Sequence, residues 1–147
     1  MKKILIVIYF LSCKSFAQDI DFIKKADTIF LYFDEDIKFD DLHLIISKNP
    51  FDEIYNYQFP DGKSLKFQVL TNARFKKDVL IKRKKFLELN KNRILSIDTI
   101  HKYGFYKIAK SLDYPRKIIY ILNKADISRK KLILKKAYVN YLLNIEM

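Results

Sequence analysis

A chain of 147 residues holds one ordinary domain, with room for a targeting segment at one end. Half of the residues are apolar and 15% are aromatic, which excludes general disorder. The two glycines, Gly62 and Gly104, exclude glycine-rich phosphate loops, and the single cysteine excludes a disulfide scaffold or a multi-cysteine zinc site, while 29 Lys and Arg against 17 Asp and Glu give a formal charge of +12.

The first element is a tripartite leader. Lys2 and Lys3 supply a positive start, Ile4 to Leu11 an apolar stretch too short to span a bilayer, and Ser15-Phe16-Ala17 small residues at the −3 and −1 positions of a cleavage site. Residues 1–17 resemble the type I export signals of Gram-negative envelope proteins, which implies cleavage between Ala17 and Gln18 and a periplasmic or secreted mature protein. The resemblance covers those residues alone, and implies nothing about the mature activity. Phe10-Leu11-Ser12-Cys13 partly resembles a lipobox, in which Cys13 would be acylated. Phe10 and Leu11 depart from that pattern, so lipid anchoring is the lesser alternative. Cleavage at Gln18 removes three lysines and the cysteine, leaving a charge of +9 and no thiol for an oxidising compartment to act on.

Residues 18–147 show no repeat, low-complexity run or Pro/Gly/Ser linker, so one domain is expected. Thr28 to Phe33, β-branched and aromatic on both faces, suits a central strand, and Leu42, Leu44 and Ile46 mark the inner face of a second. Tyr55, Tyr57 and Phe59 alternate up to Pro60-Asp61-Gly62-Lys63, and Leu65, Phe67 and Val69 alternate after it, which predicts a hairpin. A strand at Val79–Ile81 and a short helix over 83–91 follow. Ser96 then caps a helix whose apolar face carries Ile97, Ile100, His101, Phe105, Ile108 and Leu112, interrupted near Gly104 and ended by Pro115. Residues 117–122 and 132–139 read as closing strands. The expected fold is α+β: a mainly antiparallel sheet of about six strands with two or three short helices within residues 83–112. Strand order cannot be read from these patterns.

Chemistry-bearing residues are sparse. Asp34, Glu35, Asp36, Asp40 and Asp41 are the best candidates for a hard cation, but the spacing lacks a turning glycine and a terminal bidentate Glu. A solvated acidic loop explains them as well, and no metal is expected. His43 and His101 lie 58 positions apart, outside any ligand-pair spacing. His101 is expected as a buried imidazole on the apolar helix face, and His43 facing outward. The serines Ser47, Ser64, Ser96, Ser111 and Ser128 sit in no nucleophile-elbow motif. No catalytic residue or cofactor is expected.

Charge is the remaining signal. Residues 18–61 carry a net −7, and residues 62–147 a net +16. Lysines outnumber arginines 24 to 5, the composition of a solvated face as much as of a phosphate grip. The cations nonetheless cluster, and the residues expected to bind a polyanion are Lys76, Lys77, Lys82, Arg83, Lys84, Lys85, Arg129, Lys130, Lys131, Lys135 and Lys136. Export makes nucleic acid an unexpected partner and leaves phosphorylated lipid surfaces and cell-wall carboxylates, or another envelope protein. The mature chain contains no expected transmembrane helix. The expected role is a non-catalytic binding or accessory domain of the envelope. The alternatives are a periplasmic hydrolase pairing His43 or His101 with a carboxylate, and a lipid-anchored accessory protein.

Overall fold

The architecture is set by one strand, β1 (Thr28–Phe33), in which every residue after Thr28 is buried. A strand buried on both faces must be covered from both sides, and the rest of the chain supplies the covers. The computed structural model describes residues 20–71, 78–113 and 117–139. Within them the chain runs α1 (Ile20–Lys25), β1, β2 (His43–Lys48), β3 (Asp52–Gln58), β4 (Ser64–Leu70), β5 (Val79–Arg83) and α2 (Lys85–Leu89). It continues through β6 (Ile94–Leu95), α3 (Ile97–Asp113), β7 (Ile118–Asn123) and β8 (Lys131–Val139).

These strands form an eight-stranded sheet in the order β2-β3-β4-β8-β7-β1-β6, with β5 also paired to β8. The fold is α+β, as expected, but the sheet is mixed. β1 runs parallel to β6 and β7, while the other pairings are antiparallel. The parallel trio was not foreseen because β6 is only two residues long and too short to carry an alternation. A helix, α1, also lies outside the 83–112 region where helices were expected.

The predicted hairpin forms as β3 and β4, with Tyr55 opposite Phe67 and Tyr57 opposite Leu65. Its turn closes through Phe59 N–H to the Lys63 carbonyl at 2.9 Å, and Gly62 takes the positive φ of 82°. At Ser96 the hydroxyl accepts the Thr99 N–H at 3.2 Å, the expected cap of α3. Gly104 breaks that helix with φ 75° and ψ 176°, a conformation almost confined to glycine.

Side chains alternate across each strand, so the two faces of the sheet can be followed by parity. On one face Phe30 stacks with Tyr120 at 5.9 Å and meets Phe86 of α2 edge-on at 5.1 Å. Leu132 and Leu134 of β8 are buried on this side. On the other face Phe33 meets Tyr55 at 5.1 Å and Tyr57 at 5.2 Å, so the β2–β4 part folds over β1. Ile119 and Ala137, which are register partners, belong to this second face. β8 therefore changes its buried face along its length and joins the two parts of the sheet.

Candidate functional site

The sheet register decides where the cations go. β5 runs antiparallel to β8 with Arg83 opposite Lys131 and Ile81 opposite Ile133. Lys84 and Lys85 follow β5 immediately, in the turn and first residue leading into α2. Arg129 and Lys130 occupy a tight turn before β8, where the Ser128 N–H and hydroxyl both donate to the Lys131 carbonyl, at 2.8 and 2.9 Å. The same hydroxyl accepts the Lys131 N–H at 3.2 Å, and Ile127 bridges Leu132 across the turn. Two basic segments separated by some 45 positions in sequence thus meet at one corner of the sheet.

Lys82, Arg83, Lys85, Arg129, Lys130 and Lys131 are exposed and Lys84 is half-exposed. None of these seven forms an ion pair among the described residues. Like charges placed opposite each other on paired strands repel, so Arg83 beside Lys131 is a local cost with no carboxylate set against it among the described residues. Lys82 lies with its ammonium 5.8 Å from the Phe86 ring.

Lys135 and Lys136, also expected at this surface, are used differently. Lys135 is turned inward, where its ammonium meets Glu53 Oε2 at 3.0 Å and Asp126 Oδ2 at 3.4 Å. The Tyr55 hydroxyl donates to the same Glu53 oxygen at 2.7 Å. Burial alone would raise the Glu53 carboxyl, but the hydrogen bonds from Tyr55 and Lys135 outweigh it and hold the group below its ordinary value. Burial would likewise lower Lys135, and its carboxylate partners raise it instead. Lys136 is half-buried with its ammonium 5.6 Å from the Tyr138 ring. Lys76, Lys77, Ala17 and Gln18 lie outside the described residues.

The acidic residues after β1 do not converge. Asp34 is buried, accepting the Asp36 N–H at 2.9 Å and the Tyr32 hydroxyl at 3.4 Å, with Lys124 at 3.5 Å. Asp36 shares Lys124 at 3.2 Å, Asp41 pairs with His101, and Glu35 and Asp40 face solvent. His101 is not the buried imidazole expected from its place on the helix. It is half-exposed, its Nε2 is bonded to Asp41, and its ring stacks on Phe39 at 4.4 Å. The loop after β1 folds back to α3, a contact across 60 positions that helical periodicity does not report. His43 is exposed on β2, as expected.

One buried amine was missed. Lys117, just before β7, donates to the Lys24 and Ala26 carbonyls at 3.0 and 2.9 Å and so closes the end of α1. Burial lowers its pKa, opposed by the charge of Asp27. The residue lines a cleft of about 580 Å³ together with Leu112, Ile119, Lys136 and Tyr138. Its sequence signal was a lysine opening an apolar strand, which is too common to single out.

No protein family, no curated protein and no solved structure matches this chain. Among the described residues no helix is long and apolar enough to cross a membrane.

Proposed function

We propose that the protein is a small exported, non-catalytic domain that holds a polyanion of the cell envelope at the corner built by β5, β8 and the turn before β8. The observation that carries this reading is the register pairing of Arg83 with Lys131, amid five further cations that have no carboxylate partner among the described residues. Bound phosphates or carboxylates would relieve that repulsion, and each cation near an anionic surface contributes on the order of 1 kcal/mol. Export rests on the leader at residues 1–17 and is tested by the intact mass of the protein recovered from its host. A chain beginning at Gln18 supports it; an acylated chain beginning at Cys13 replaces it with the lipid-anchored form, and retention of Met1 contradicts it. Binding is tested by co-sedimentation with isolated envelope at low and high salt. Capture lost at high salt is the expected result; absent or salt-insensitive capture contradicts the polyanion.

The Asp41–His101 pair favours a second reading, a periplasmic hydrolase. Its half-exposed imidazole and the Phe39 stack suit a strap that ties the loop to α3. Hydrolysis of model esters or phosphoesters that is abolished by His101→Ala would support the hydrolase. Loss of stability alone in that variant supports the strap.

A further inference from the structure

The second face of the sheet does not end where its cover ends. β2–β4 closes over it as far as the Lys135–Glu53 contact, and beyond that point the same face continues on β5 and the start of β8. By strand parity the continuation carries Val79, Ile81 and Arg83 on one strand and Ile133 and Lys131 on the other. Val79 is 40% and Ile81 62% exposed, and Ile133 is half-buried beside Ile81. An apolar strip therefore leads directly into the Arg83–Lys131 pair, with Arg129 and Lys130 at the adjoining turn tip.

We propose that this strip seats on an anionic lipid bilayer, with Ile81 and Val79 entering the interface while Arg83 and Lys131 reach the headgroup phosphates. The inference rests on the polyanion reading above and narrows its partner. Charge complementarity selects the anionic surface, and the apolar strip selects a bilayer over a soluble polymer. A dissolved polyphosphate or cell-wall polymer offers nothing apolar for Ile81 to enter, whereas a bilayer offers both layers at the depth one side chain spans.

The chain contains no tryptophan, so Ile81→Trp introduces a sole reporter. With vesicles of phosphatidylcholine containing about one third phosphatidylglycerol, its emission is expected to shift to the blue and to be quenched by brominated acyl chains. Tyr106→Trp, on α3 beside the β3–β4 turn, is expected to do neither. Ile81→Ser in the full chain is expected to weaken vesicle binding about fivefold while leaving binding to soluble polyphosphate unchanged. An unshifted Ile81→Trp, or vesicle binding by Ile81→Ser equal to the parent, overturns the bilayer and leaves the polyanion reading intact. Absence of binding to both vesicles and polyphosphate overturns both.

Discussion

Lys135 shows how one side chain can be removed from a basic surface by its surroundings. Its ammonium lies between Glu53 and Asp126, and its removal would leave two partly buried carboxylates facing each other. Lys135→Met is expected to cost about 2–4 kcal/mol near pH 7, below the range for a fully buried pair because the site retains some solvent contact. The pH dependence follows from the lowered Glu53 carboxyl. Its stabilisation is complete above the ordinary value of 4.5 and fades as pH falls through the lower folded value. Urea denaturation should therefore find the gap between parent and variant largest near neutrality and narrowing below about pH 4.5, as the Glu53 carboxylate takes its proton. Gly104 is a second single-residue constraint. Space is open around it, but φ 75° with ψ 176° disfavours any side chain, so Gly104→Ala should cost about 1–3 kcal/mol by thermal denaturation.

Among the elements, β1 carries more of the fold than its six residues suggest. Phe33 contacts Tyr55 and Tyr57 edge-on, and the Tyr57 hydroxyl donates to the Tyr32 carbonyl at 2.9 Å, so β1 is clamped to the β3–β4 hairpin. Phe33→Ala is expected to cost about 3–5 kcal/mol in urea, and Ile45→Ala, at an exposed position of β2, less than about 1 kcal/mol. β1 and the β3–β4 hairpin were legible because their burial is written as local pattern: apolar on both faces, or alternating up to a Pro-Asp-Gly turn. The parallel β6–β1–β7 trio was not legible, since two residues of β6 cannot state a period. At the candidate site, each basic segment was visible, whereas the register that joins Arg83 to Lys131 is a long-range pairing. The inward turn of Lys135 depends on Glu53, 82 positions away, and no local pattern distinguishes it from Lys136.

Across the whole molecule, the acidic first half and basic second half are only partly neutralised against each other. Lys135 with Glu53 and Lys124 with Asp34 join the halves, while the β5–β8 corner keeps its charge unmatched among the described residues. Local charge and net charge can therefore be separated by substitution at different places. Two double variants, Arg83→Gln/Lys131→Gln at the corner and Lys24→Gln/Lys25→Gln at the exposed lysines of α1, remove the same charge from different places. Affinity for anionic vesicles would be titrated across a salt series for both and for the parent. A polyanion site at the corner predicts that the corner variant binds more weakly and with a shallower dependence on salt, while the α1 variant follows the parent. Equal losses in the two variants would contradict it, because binding would then follow total charge and not the corner.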